Sequence, residues 1–112
     1  MNTDTLSILV VDSNKDHQHL MMESLRGTIN DIQIHSSDTG EDCLNKLSQR
    51  RYNVIIVDFC LSDIEVFDLL YKVRKKNNQV PIIMVMADDG KNFIEESMVH
   101  GVCGFVVKSE GY

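Results

Sequence analysis

The chain has 112 residues, 43% hydrophobic and 25% charged, the composition of one ordinary globular domain long enough for a core. With 11 basic against 17 acidic residues the net charge is −6, which argues against a nonspecific electrostatic grip on nucleic acid or on an anionic membrane. The polar start Met1 to Thr5 and the lack of any apolar run near the roughly 18 residues of a membrane span predict a soluble, cytoplasmic domain without signal peptide or anchor. Cys43, Cys60 and Cys103 are odd in number, widely spaced and without a Cys-x-x-Cys pair. Buried reduced thiols are expected rather than a disulfide framework or a zinc site.

Runs rich in Val and Ile alternate with segments of helical period. Ser7 to Val11 reads as a strand, followed by a helix over Lys15 to Leu25 that places Leu20, Met21 and Leu25 on one face, with Gly27 as its stop signal. Ile32 to His35 alternates weakly as a second strand. Asp38-Thr39-Gly40 then opens a helix over Glu41 to Gln49, with Leu44 and Leu47 toward the core. Val54 to Val57 is the most apolar strand, as expected at the centre of a sheet covered on both faces. A helix over Ile64 to Lys76 reads through Phe67, Leu70, Tyr71 and Val73. Pro81 begins a fourth strand that runs to Met86, a helix over Asn92 to His100 stops at Gly101, and Gly104 to Val107 is the fifth strand.

Strict alternation with short connections predicts an α/β fold, a five-stranded parallel sheet with right-handed crossovers. Only four helices are counted, because the sequence given stops at Tyr112, shortly after Lys108. One face of the sheet is expected to lack a covering helix. Apolar surface exposed there would promote dimerisation.

Three strands end in a charged residue. Ile8 to Val11 delivers Asp12, Val54 to Val57 delivers Asp58, and Phe105 to Val107 delivers Lys108. The carboxyl ends of parallel strands converge on one edge, the crevice where open α/β sheets place their sites, so an acidic pocket with one fixed cation is predicted. Taken singly, Asp12 and Asp58 also read as helix caps or turn formers and Lys108 as a solvated lysine. Their joint placement favours a site.

Over essentially the whole chain these residues resemble the receiver domain of two-component response regulators. The segment ILVVDSN is similar to the family's first strand and acidic loop, YNVIIVDFCLSD to the phospho-acceptor strand and loop, and VPIIMVMA with GVCGFVVKS to strands four and five. The resemblance implies a doubly wound, flavodoxin-like sheet of order 2-1-3-4-5, with the last helix missing or outside the chain. It further implies that Asp58 accepts a phosphoryl group from a sensor histidine kinase or phosphotransfer protein. Mg²⁺ would be bound among Asp12, Asp58 and the backbone carbonyl of Cys60, with Lys108 as a point charge on the phosphoryl oxygens. A carboxylate is a usable nucleophile toward phosphorus, and a divalent cation offsets the charge that would repel its attack. Such a domain is not an enzyme in the ordinary sense, since it catalyses only its own phosphorylation and dephosphorylation.

Several positions depart from the family pattern. Ser13 stands where a second acidic metal ligand is usual, so it is expected to be a weak or absent Mg²⁺ ligand. Met86 stands where a Thr or Ser hydroxyl usually reaches the phosphoryl group, which puts the hydroxyl-driven switch in doubt. Phe105 matches the switching aromatic, with a core or interface Phe as the equal alternative. Ser62 and Ser109 replace prolines, and Val66 replaces a glycine although a β-branched residue resists positive φ. The ending VVKSEGY resembles a subgroup in which Lys-Ser and Gly-Tyr lead into the last helix within larger sensory proteins. A piece of a longer protein is therefore expected, with any output domain beyond Tyr112.

A second function follows from Ser13 and Met86: a degenerate receiver that serves as a phosphorylation-independent protein-interaction module. A phosphatase reading with Asp12 as nucleophile, Lys108 and the pair Asp88-Asp89 fails because Asn14 stands where a second Asp is usual and the lysine follows the acidic pair. Flavin or nucleotide binding is disfavoured by DSNKDH after the first strand, which is neither glycine-rich nor the hydroxyl-rich loop of flavodoxins.

Overall fold

The computed structural model describes residues 5–77, 79–87 and 92–108. Five strands, β1 Leu6–Val11, β2 Ile32–Ser37, β3 Val54–Asp58, β4 Ile82–Met86 and β5 Val102–Val107, pair in parallel in the order β2-β1-β3-β4-β5. Helices α1 Lys15–Thr28, α2 Gly40–Gln49, α3 Val66–Lys76 and α4 Ile94–Val99 link them. The predicted alternation and strand order are both present, with the apolar β3 at the centre. No helix among the described residues is long and apolar enough to cross a membrane.

Strand side chains alternate between two faces, as the two-residue period requires. Leu9, Val11, Ile55, Val57, Ile82, Met84 and Met86 join the core beneath α2, α3 and α4. Ile8, Val10, Ile56 and Val85 face the other way, against Met21, Met22 and Leu25 of α1. Among the described residues α1 is the one helix over this second face. Val106, paired in register with Val85, is 39% exposed.

Local signals set the helix ends. Asn14, Thr39 and Glu65 cap α1, α2 and α3 through side chains that accept backbone amides, each satisfying donors the first helical turn leaves unpaired. Gly40 has to be small, because a Cβ there would lie 2.4 Å from Ile64 Cγ2. Gly101, at φ +88°, ends the segment after α4 as expected.

Several expectations are corrected. Gly27 does not stop α1, which runs on to Thr28 and closes where the Ile29 amide donates to the Leu25 carbonyl. A glycine inside a helix costs about 1 kcal/mol relative to alanine, too little to end one that is packed on a sheet. Leu20 is 49% exposed, because the inward stripe is Gln18, Met21, Met22 and Leu25 at the spacing i, i+3, i+4, i+7. Tyr71 is likewise 56% exposed, while Val66, Leu69, Leu70 and Val73 are the buried residues of α3. Val66 is under no left-handed strain. It is the first residue of α3, and Asp31 is the one non-glycine with positive φ among the described residues. Of the three thiols only Cys43 is buried, whereas Cys60 and Cys103 are exposed.

Candidate functional site

Parallel register builds the site. Val11 lies opposite Val57, so the next residues of the two strands, Asp12 and Asp58, emerge side by side at the carboxyl edge of the sheet. Lys108 directly follows β5, and its amide donates to the Met86 carbonyl at 2.7 Å, which fixes where its side chain starts. Its ammonium then lies 3.0 Å from Asp58 Oδ1 and 3.8 Å from Asp12 Oδ2. All three side chains are largely buried, at 10% exposure for Asp58, 9% for Asp12 and 16% for Lys108. Burial foremost, with the Asp12 charge adding to it, pushes the Asp58 carboxyl above the usual carboxylate range, and the Lys108 hydrogen bond offsets part of that.

His17 and Gln18, which sequence reasoning missed, complete the pocket, with Asn14 between them and the first strand. His17 Nδ1, in the first turn of α1, lies 2.9 Å from Lys108 Nζ. Asn14 holds that turn, accepting the Asp16 and His17 amides, and its own amide donates to Asp12 Oδ1 at 2.9 Å. Gln18 is buried, and its side-chain amide donates to the carbonyls of Asp12 and Ser37 and to Asp38 Oδ1. A histidine and a glutamine on a mostly polar helix give no periodic signal. Their roles come from where α1 docks.

Ser13 points elsewhere. Its hydroxyl donates to the Asp38 carbonyl at 2.9 Å, accepts the Ser62 amide at 3.0 Å and lies 3.1 Å from Ser62 Oγ. It thereby ties together the loops that follow β1, β2 and β3. Asp63 adds to this bracing, because its carboxylate accepts the first amides of α2, those of Gly40 and Glu41. Met86 is fully buried in the core beneath α2 to α4, so it serves the site through its carbonyl and not its side chain. Phe105, half-buried, pairs with Met84 in register and packs on the same core. Cys60 follows β3 by two residues on the exposed loop. Phe59, next to Asp58, packs with Phe67 and Phe93, ring centroids 6.0 Å and 5.1 Å away. Asp88, Asp89, Ser109, Gly111 and Tyr112 lie outside the described residues.

Two buried carboxylates beside one ammonium leave a negative charge in a donor set made of oxygen. That suits a small hard divalent cation of the Mg²⁺ type, which takes one or two carboxylates and keeps several waters. Among the described residues no cluster of three or more His, Cys, Asp or Glu side chains forms a closed metal site. The acidic pocket fits a cation shared with a ligand better than a structural one.

Residues 8–111 match the response regulator receiver domain. Regulatory protein LuxO of Vibrio cholerae is 33% identical over 78 residues, which cover 70% of this chain and 17% of LuxO. Heme response regulator HssR of Staphylococcus epidermidis is 29% identical over 108 residues, covering 92% of this chain and 45% of HssR. The chain therefore spans less than half the length of these relatives. The crystal structure of response regulator TrrA from Thermotoga maritima, in complex with Mg²⁺ and BeF, superposes with a TM-score of 0.80 and 25% identity over 94% of this chain and 88% of that one.

Proposed function

Because the chain belongs to the response regulator receiver domain family of two-component signalling, we propose that Asp58 accepts a phosphoryl group from the phosphohistidine of a sensor kinase or phosphotransfer protein. The observation that carries this reading is the 3.0 Å contact between Lys108 Nζ and Asp58 Oδ1 beside a second buried carboxylate. An Asp58 carboxylate oxygen attacks phosphorus, the new O–P bond forms as the P–N bond of the donor breaks, and the imidazole keeps the electron pair. Lys108 favours the ionised, nucleophilic carboxylate and afterwards faces the phosphoryl oxygens. In a largely buried site its charge acts more strongly than it would in water. Asp12, Asp58 and the Cys60 carbonyl would hold Mg²⁺, which supplies the charge neutralisation that lets an anionic nucleophile approach an anionic phosphoryl group. His17 Nδ1, 2.9 Å from the ammonium, helps hold the lysine in place.

Ser13 and Met86 favour a second reading, in which the domain docks partners without switching. The Ser13 hydroxyl is bound to two other loops and the Met86 side chain is enclosed in the core. Incubation with acetyl phosphate and Mg²⁺, followed by peptide mass spectrometry, separates the two. A phosphoryl adduct on Asp58 that disappears in Asp58→Asn supports acceptance, and an unmodified Asp58 leaves only the docking role.

A further inference from the structure

At the edge of the sheet opposite Asp58, the last turns of α2 and α3 and the loops after them flank a half-open hollow of about 470 Å³. Its lining includes Arg50, Arg51, Arg74, Lys75 and Lys76 and no carboxylate. Five of the chain's 11 basic residues thus line one cleft in a molecule of net charge −6. None of the five forms an ion pair among the described residues.

Ordinary structural roles account for part of this pattern. The Arg74 guanidinium donates to the carbonyls of Asn77, Val80, His100 and Gly101, so it builds the wall. Arg50 donates to Gln33 Oε1, Lys76 to Ser48 Oγ, and Lys75 lies over the Tyr71 ring. These partners are neutral and position the cations without cancelling their charge. The carboxyl ends of α2 and α3 also attract cations, but each helix end is worth roughly half an elementary charge, about one in total against five. Most of the positive charge is left without a counter-charge from the protein.

We propose that this cleft binds a small oligophosphate, the phosphate chain of a nucleoside triphosphate or of inorganic polyphosphate. The hollow has the size of a small-molecule site, roughly 300–1,000 Å³. Arginine forks and lysine ammonium groups suit compact, multiply charged phosphate oxygens. Tyr52, the aromatic residue of the lining, is buried and offers no open ring for a base. Recognition therefore rests on the phosphate chain. This site does not depend on phosphorylation of Asp58.

The test is titration of the ¹⁵N-labelled chain, as Asp58→Asn so that the acidic pocket cannot respond by phosphorylation, with inorganic tripolyphosphate and separately with ATP. Saturable amide shifts confined to residues 50–53 and 75–79 are expected, weakening at least tenfold in Arg51→Ser/Lys76→Ser with the native spectrum kept. Arg51→Glu alone provides the check should the double variant lose its fold. Equal affinity for the two probes assigns the ligand to the phosphate chain alone, and tighter ATP binding assigns it to a nucleotide. The proposal is overturned by shifts confined to the Asp12 and Lys108 edge, by no saturation, or by tighter binding of a glutamate-rich peptide or a short RNA than of tripolyphosphate.

Discussion

The Ser62 amide donates to the Ser13 hydroxyl at 3.0 Å, joining two loops that are 49 residues apart in the chain. A proline at position 62 has no amide to give, and a carboxylate at position 13 cannot donate to the Asp38 carbonyl. Two departures from the family pattern thus meet in one contact. Ser13→Asp is expected to bring a third carboxylate to the pocket and tighten Mg²⁺ binding roughly tenfold, about 1.4 kcal/mol. Losing the hydroxyl's bonds should cost the metal-free fold about 1 kcal/mol. Calorimetric Mg²⁺ titration and urea denaturation in EDTA measure the two effects, and unchanged Mg²⁺ affinity would place residue 13 away from the metal.

Lys108 is the cation against which both buried carboxylates are set. Lys108→Ala leaves that pair without it, and removing one partner of a buried ion pair typically costs about 3–5 kcal/mol. A loss near the lower end is expected, since water can enter from the sheet edge. Phosphorylation of Asp58 by acetyl phosphate should slow at least tenfold. Urea denaturation and an intact-mass time course read the two separately, and a variant as stable as the parent would contradict the charge balance drawn for this pocket.

The raised value at Asp58 gives a pH dependence with a definite sign. Between the ordinary carboxyl value of about 3.9 and the raised one, the folded chain binds a proton more readily than the unfolded chain. Stability from this group is therefore present at low pH and is lost as pH rises through that window. Asp58→Asn stays neutral and keeps an oxygen for Lys108, so in EDTA it should melt above the parent at pH 7. The advantage should shrink as pH falls into the carboxylate range. A gain that persists unchanged into acid would assign the effect to packing instead.

The cysteines separate by access. Cys43 is fully buried, and burial pushes its thiol up to about 12. Cys60 and Cys103 are exposed. A thiol reagent at pH 8 should therefore modify two cysteines in the folded chain and all three in urea, since the thiolate is the reacting species. Rapid reaction of Cys43 in the folded chain would mean that the α2 face opens.

Strand ends explain why so much of the candidate site could be read in advance. A residue that closes an apolar run becomes, once strands pair in parallel, a residue at one edge of the sheet, so Asp12, Asp58 and Lys108 carry their place in their spacing. His17, Gln18 and Ser62 carry no such signal, because their partners are set by the docking of α1 and the path of a loop. Leu20 and Tyr71 mislead for another reason. Each lies next to a true core position, and an apolar residue one step off the stripe looks the same in sequence while pointing about 100° away. Cys60 and Cys103 show the limit of composition, since reduced thiols are usually buried but strand and loop position decides each case.

Met86 offers the sharpest test of whether a phosphorylation signal can leave this pocket. Its side chain is enclosed beneath the helices, one residue after Val85, which pairs with Asp58 in register. Met86→Thr removes buried apolar volume and introduces a hydroxyl, a change expected to cost about 2–4 kcal/mol. In return it places at the end of β4 a donor that methionine lacks. With beryllofluoride and Mg²⁺, the variant should show amide shifts spreading through β4, α4 and β5, whereas the parent should confine them to the loops around Asp12 and Asp58. Equal spread in both proteins would show that the rearrangement needs no hydroxyl here and travels instead through the Met86 carbonyl to the Lys108 amide.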